Sequence, residues 1–349
     1  MRGGISLMDN IFTSLGRLRT CDPDRTALPV LILIMLFTAL IAIVATAAGP
    51  ENIPILTVIH ELFGANESPH AFIIQSLRLP RIAMALLVGA GLGVSGLILQ
   101  TLVRNPLASP EIIGITGGAS VAVVIYFGWL APVISVTWMP LIASTGSAVA
   151  AITIFLLAWS GTVEPARLIL IGIGISATFG ALTTLLMVFS TEMTNLSAYI
   201  WLTGSVYGAD WTDVRHILPW VLLPLPPLIF LGRTLNTLLL GHDVATSLGI
   251  PVQIVRLIAL GACVILASAA VAYAGAIGFV GLLAPHIARR LVKNTITLQI
   301  PATACIGGLL VLIADTAGRT LFGSLDLPAG IFVSAIGTPF FIYLLYRQR

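Results

Sequence analysis

Charge is what this sequence has least of. Only 9% of its 349 residues are Asp, Glu, Lys or Arg, against 58% hydrophobic, a balance that excludes a soluble surface and points to a polytopic membrane protein. Lysine is nearly missing: 16 of the 17 basic residues are arginine and the remaining one is Lys293. That lysine is followed by Asn and has no GxxxxG run before it, so there is no phosphate-cradling Walker A loop; an ATPase that drives this protein must be another chain. The net charge of +3 is carried by loops and implies no nucleic-acid surface. The three cysteines, Cys21, Cys263 and Cys305, are odd in number and scattered, which supports neither a disulfide framework nor a metal knuckle. No acid, base or nucleophile cluster is present, so an enzyme is the least favoured class, and no residue is nominated as a metal ligand.

What the chain does have is long apolar runs. A span needs about 20 apolar residues to cross about 30 Å of hydrocarbon. Runs of that kind occur at about 28–49, 82–103, 112–131, 138–159, 168–189, 216–232, 298–314 and 327–346. The first is too long for a signal-peptide core and follows a polar segment, so it is expected to be a transmembrane helix. Leu257 to Ala288 is a further 32 residues without one charge, too long for one span and short for two.

Arginine placement decides how that run is divided. As one helix it gives nine spans and an even split of basic residues, 9 inside to 8 outside. Divided near Ala274-Gly275-Ala276 it gives ten spans and 13 inside to 4 outside, the four being Arg78, Arg81, Arg215 and Arg319. The second arrangement satisfies the positive-inside rule. The expectation is an all-α polytopic protein of ten transmembrane helices with both termini cytoplasmic, a cytoplasmic N-terminal segment 1–27, and one transmembrane domain over 28–349.

The eighth span, AIGFVGLLAPHIARR, is then short, with Gly275, Gly278 and Gly281 at three-residue spacing and Pro285 within it. Interrupted helices of this kind carry moving or pathway-lining backbone in transporters, while small residues also serve close helix packing. Both readings stand for these residues and for Gly89, Gly93 and Gly96 in the second span. Gly93-x-x-Gly96-Leu97 followed by Arg104 is echoed by Gly278-x-x-Gly281-Leu282 followed by Arg289. Asp315, at the outer end of the ninth span, has Arg319 as an i,i+4 partner. Acids inside the spans are otherwise scarce, which counts against an ion-coupled carrier.

Two loops stand out. The outer segment 190–215 holds NLSAYIWLTGSV with Tyr207 and Trp211, aromatic and suited to the interface. The inner loop 233–253 breaks at Gly241 and Gly249. In helical form it exposes an apolar face of Leu238, Leu240, Val244 and Leu248, which a docking surface for a cytoplasmic partner requires and a solvated loop does not.

The stretch RLPRIAMALLVGAGLGVSGLILQTLVRNPLASPEIIGITGGAS resembles the most characteristic segment of the FecCD-type permeases, membrane subunits of ABC importers for ferric siderophores, haem and cobalamin. Further matches follow in the family's order. They are Trp201-x-x-Gly204-Ser205, Leu235-Asn236 through Ala245, Leu248 and Gly249, Gly275 through Arg289, Asp315-x-x-x-Arg319, Leu327-Pro328-x-Gly330, and Gly337-x-Pro339-Phe340. Together they cover about residues 28–346.

The resemblance implies a ten-helix permease in the bacterial inner membrane. It pairs with a second permease, identical or homologous, with two cytoplasmic ATPase subunits that bind ATP and Mg, and with an extracytoplasmic substrate-binding protein. This chain would itself hold no cofactor. The resemblance further implies that Leu238, Leu240, Gly241, Ala245, Leu248 and Gly249 form the ATPase coupling segment, and that Arg78, Arg81 and Arg319 meet acidic residues of the binding protein. Helices five and ten would line the pathway, nominating Gly172, Gly174, Ser176, Thr183, Ser334 and Gly337. Ferric siderophore is the expected cargo, with haem or cobalamin behind it. An ion-coupled carrier acting alone and a membrane scaffold are the readings from other classes.

Overall fold

The computed structural model describes residues 23–49, 51–62, 69–158, 165–292, 295–322 and 326–347. Most of the N-terminal segment, Cys21 and Lys293 lie outside them. The described chain is all helix and turn, without a strand.

In chain order the helices are α1 (Pro23–Ala47), α2 (Ile55–Leu62), α3 (Leu79–Val103), α4 (Ile115–Ile125), α5 (Met139–Ala158), α6 (Pro165–Val188) and α7 (Glu192–Thr203). Then come α8 (Trp211–Leu222), α9 (Leu225–Leu239), α10 (His242–Ser247), α11 (Val252–Ala274), α12 (Val280–Leu291), α13 (Ile296–Thr320) and α14 (Ala329–Arg347). Pi-helical turns extend α3 backwards over Ile73–Arg78 and α4 forwards over Tyr126–Leu130.

Among the described residues seven helical stretches are long and apolar enough to cross a membrane, and Ile115–Leu130 and Ala329–Tyr343 are shorter apolar ones. The remaining candidate, α12, has 12 residues and reaches about 18 Å, well short of the hydrocarbon thickness. Helix length thus does not by itself establish ten crossings. The sixth run is longer than its sequence pattern suggested. It is α8 and α9 joined at Leu223-Pro224, and it carries helix to Leu239, so the first seven residues of the inner loop continue the helix.

The centre of the bundle is α3, with 19 of its 25 residues buried. Its sequence explains why: small residues recur along it, so neighbours approach backbone to backbone. A Cβ on Gly89 would lie 2.1 Å from the Gly307 carbonyl oxygen of α13, and one on Gly93 3.0 Å from that of Thr303. These pairs, with Arg81 beside Asp315, run in opposite directions along the two chains, so α3 and α13 are antiparallel. On another face Gly96 meets α12, where a Cβ would fall 2.0 Å from the Gly281 carbonyl oxygen. The two echoing glycine segments thus pack against each other. By contrast, only 17% of the α6 span is buried, with Leu170, Ile173, Leu185 and Val188 exposed.

Candidate functional site: an outer cluster, a broken helix and an inner apolar loop

The outer end of α1 explains the two arginines of RLPR. The last carbonyls of a helix have no partner within it and form the negative end of its dipole. Here Arg78 Nη1 donates to the carbonyl oxygens of Thr46 (2.7 Å) and Ala47 (3.1 Å), Arg78 Nη2 donates to that of Glu51 (2.5 Å), and Arg319 Nη2 donates to that of Ala45. Arg81 takes two carboxylates at once. Its Nε (3.0 Å) and Nη2 (2.8 Å) donate to Asp315 Oδ1, and its Nη1 and Nη2 donate to Asp326 at 2.7 Å each. Its guanidinium also lies 5.3 Å from the Tyr207 ring centroid. Arg319 Nε stands 3.8 Å from Asp315 at the i,i+4 spacing.

Each of the three arginines expected to meet a binding protein thus has partners within its own chain. Arg78, Arg81 and Arg319 are only 6%, 9% and 5% exposed, and their guanidinium donors turn into the chain. They knit α1, α3 and α13 together and do not stand free at the rim. The cause is the helix-end carbonyls and Asp326, partners that no sequence spacing connects to residue 78 or 81.

Deeper in the fold, α11 stops at Ala274 and α12 starts at Val280, leaving five residues out of helix. Gly275 has φ +70°, and a Cβ there would lie 2.1 Å from the Trp201 carbonyl oxygen, so the C-terminus of α7 presses on the break. Phe279 is also left-handed, with φ 65° and ψ −21°. Its ring covers Gly337 of α14, where a Cβ would be 2.5 Å from Phe279 Cγ. Ser176 Oγ of α6 donates to the Glu111 carbonyl oxygen at 3.3 Å.

Glu111 is the residue that sequence reading missed. It falls just before an apolar run and reads as an inner-loop acid. The 3-10 turn Pro110–Ile113 instead folds back into the bundle, where Pro110 packs on Gly281. Gly281 touches Gly96, seven residues from the end of α3, hence about 10 Å above it. Glu111 itself stays exposed beside that contact, and among the described residues no basic side chain pairs with it.

The pathway nominees divide. Gly174 has open space where a Cβ would be, and Ser176 and Ser334 are half-buried. Three others are enclosed: Gly172 is buried, Thr183 is 7% exposed and bonds back to the Phe179 carbonyl of its own helix, and Gly337 is covered by the Phe279 ring. Gly278 faces Glu111 Oε1, and Pro285 lies within α12 among its buried residues.

On the inner side, Arg104 forms the left-handed cap of α3, and its Nη2 donates to the Leu238 carbonyl oxygen at 2.6 Å. One turn earlier, Gln100 accepts from Arg289 Nη2 (2.6 Å) and donates to the Gly281 carbonyl oxygen (3.0 Å). The loop is therefore tied to α3, and α3 to the broken helix. Leu238 is buried, which corrects its expected place on the exposed face, and Ala245 is buried as well. Leu240 (69%), Val244 (43%) and Leu248 (65%) are exposed, with Gly241 after the first and Gly249 after the last, both at positive φ.

An all-α membrane protein whose helices break inside the bundle, and which carries a bare apolar turn on one end, is built as a permease. The FecCD transport family model matches residues 31–347, and the chain belongs to that family. It is a multi-pass membrane permease and not itself an enzyme. It is 47% identical over 317 residues to the achromobactin transport system permease protein CbrC of Dickeya dadantii (strain 3937), covering 91% of each chain. It is 43% identical over 331 residues to the probable siderophore transport system permease protein YfhA of Bacillus subtilis (strain 168), covering 93% of this chain and 96% of the relative. A solved structure described as an inward-facing conformation of a putative metal-chelate type ABC transporter superposes with a TM-score of 0.80 at 30% identity, covering 92% of this chain and 99% of that one. Membership of such a family implies partner subunits.

Proposed function

We propose that this chain forms one half of the transmembrane pathway of a binding-protein-dependent importer of iron(III) chelates in the bacterial inner membrane. It pairs with a second permease, receives ferric siderophore from an extracytoplasmic binding protein, and is driven by two ATPase subunits that hold ATP and magnesium. Both termini are cytoplasmic and the membrane is crossed ten times, with α12 and the extended residues before it making one short crossing. Siderophore carriers among the close relatives support the cargo. The observation that carries the assembly is the bare apolar run of Leu240, Val244 and Leu248, interrupted by Gly241 and ended by Gly249, with Arg104 bonded to the Leu238 carbonyl behind it. An exposed apolar patch on a rigid mount suits insertion into a partner's cleft.

Two measurements test this. Proteoliposomes holding the assembled complex should accumulate a ferric siderophore when binding protein and ATP are supplied, and show no uptake from an ion gradient with the ATPase omitted. Gradient-driven uptake by the chain alone would overturn the reading in favour of a secondary carrier. Separately, Leu248→Asp is expected to leave the chain in the membrane at its normal level, since Leu248 supports no core. Recovery of the ATPase in a pull-down is expected to fall at least about ten-fold, as for a central apolar contact. Wild-type recovery and uptake would remove the loop from the coupling role.

A further inference from the structure

α12 has a gap in its own hydrogen bonding. In a helix the carbonyl of one residue accepts from the N–H four residues on, and for Gly281 that residue is Pro285, which has no N–H to give. A carbonyl left open inside a membrane bundle is costly, because no water is at hand to take the bond. Here the missing donor comes from another helix. Gln100 Nε2 of α3 donates to the Gly281 carbonyl oxygen at 3.0 Å. Gly96, one turn earlier on α3, makes room for that approach, since a Cβ there would stand 2.0 Å from the same oxygen.

The other end of the same amide is also engaged. Gln100 Oε1 accepts from Arg289 Nη2 at 2.6 Å, and Arg289 lies about 12 Å further along α12 than Gly281. An amide can donate to a carbonyl and accept from a guanidinium at once, which neither a carboxylate nor an alkyl group can do. Gln100 is only 2% exposed, so both bonds are shielded from water. Its main chain is committed as well. The Gln100 carbonyl accepts from Arg104 N and from Asn105 N (3.2 Å), which closes the left-handed end of α3. That end aims Arg104, whose Nη2 holds the Leu238 carbonyl just before the exposed turn.

We propose that Gln100 is a positioning residue for transport. Its amide joins α12 to α3 at the carbonyl that Pro285 leaves open, so a movement of the inner loop reaches the broken helix through Arg104 and α3. It acts through the helices it holds and not on the cargo. The proposal rests on the permease reading above, and its test includes one arm that does not need transport.

The variants are Gln100→Leu, Pro285→Ala and the two combined, all made in the full chain. Alanine at 285 gives the Gly281 carbonyl a donor within α12, but it supplies no tie between α12 and α3. In the purified chain, without cargo or ATPase, Gln100→Leu should lower the thermal midpoint by a few degrees, and by no more than about half as much when made in Pro285→Ala. In the assembled transporter, chelate taken up per ATP should fall at least about ten-fold in Gln100→Leu, and by a similar factor when the change is made in Pro285→Ala. Pro285→Ala alone keeps Gln100 and should stay within about three-fold of wild type.

A purely structural role predicts otherwise: uptake and ATP hydrolysis would fall together, and both would return with Pro285→Ala. Either of those results overturns the proposal, as do full coupling in Gln100→Leu, an inert Pro285→Ala, or an equal thermal loss in both backgrounds. If Gln100→Leu does not assemble, the double variant is compared with Pro285→Ala. A ten-fold loss of uptake per ATP there supports the role, and equal coupling, or no assembly, overturns it. Absence of ATP-driven uptake in the unmodified complex is failure of the permease reading, whereas a coupled wild type left unchanged by Gln100→Leu is failure of this one.

Discussion

Replacing Arg81 by leucine is expected to deplete the protein from the membrane, and not merely to weaken its response to a binding protein. Asp315, whose side chain is 1% exposed, would lose its bidentate partner and keep only Arg319 at 3.8 Å. Removing one member of a buried pair costs about 3–5 kcal/mol, because the other is left as an uncompensated charge. That is a large share of the roughly 5–15 kcal/mol that holds a typical fold together. Arg78→Ala should cost less, since it strips hydrogen bonds from neutral carbonyls and leaves no bare charge. Adding Asp315→Leu to Arg81→Leu should recover part of the loss, since the buried charge goes with it. Thermal denaturation of the solubilised chain and its level in membranes give the ranking directly. A stable Arg81→Leu protein that has lost only stimulation by the binding protein would return the arginine to the rim.

Much of the architecture could be read from the chain because bilayer physics leaves few options. Apolar runs of about 20 residues can only be helices, since no water is present to satisfy the backbone otherwise. Glycines four apart on α3 can only invite a close neighbour. Side-chain direction was less legible. Leu238 reads with Leu240, Val244 and Leu248 as one apolar stripe, although a helix turns residues two apart to opposite sides. In fact α9 ends at Leu239 and the register is lost at Gly241. The stripe read one helix where there are two short pieces.

Arg78, Arg81 and Glu111 share a different reason. Each is defined by a neighbour more than 25 residues away: α1 carbonyls for Arg78, α13 carboxylate for Arg81, and Ser176 with Gly278 for Glu111. A charge near a membrane boundary carries no mark in sequence to say whether it faces water or a distant helix end. The family pattern supplied a role for the arginines but could not show where these guanidinium groups point. One local signal did exist for Glu111: Pro110 precedes it, and residues before and after a proline commonly leave the helix, so a turn entering the bundle was readable in outline.

The same substitution, glycine to alanine, is expected to act with opposite sign at different points of the bundle. At Gly96 the new methyl would stand 2.0 Å from the Gly281 carbonyl oxygen, and at Gly89 2.1 Å from that of Gly307. Backbone cannot swing aside as a side-chain tip can, so α3 must separate from α12 or α13. Overpacking in a tight core typically costs about 1–3 kcal/mol and occasionally more. Here the cost sits at the upper end, because Gln100 and Arg104 lie on the same helix and would be dragged from Gly281 and Leu238. At Gly180 on α6 and Gly261 on α11 nothing stands within 4 Å of a new Cβ, and both are mid-helix at ordinary φ. Alanine there should stabilise by about 0.5–1 kcal/mol through helix propensity alone. Thermal midpoints of the four single variants therefore separate on either side of wild type, Gly96→Ala and Gly89→Ala below it, Gly180→Ala and Gly261→Ala above. Uptake should follow the first pair down. If Gly96→Ala melted and transported like wild type, α3 and α12 would not be in backbone contact, and the tie between the inner loop and the broken helix would be lost with it.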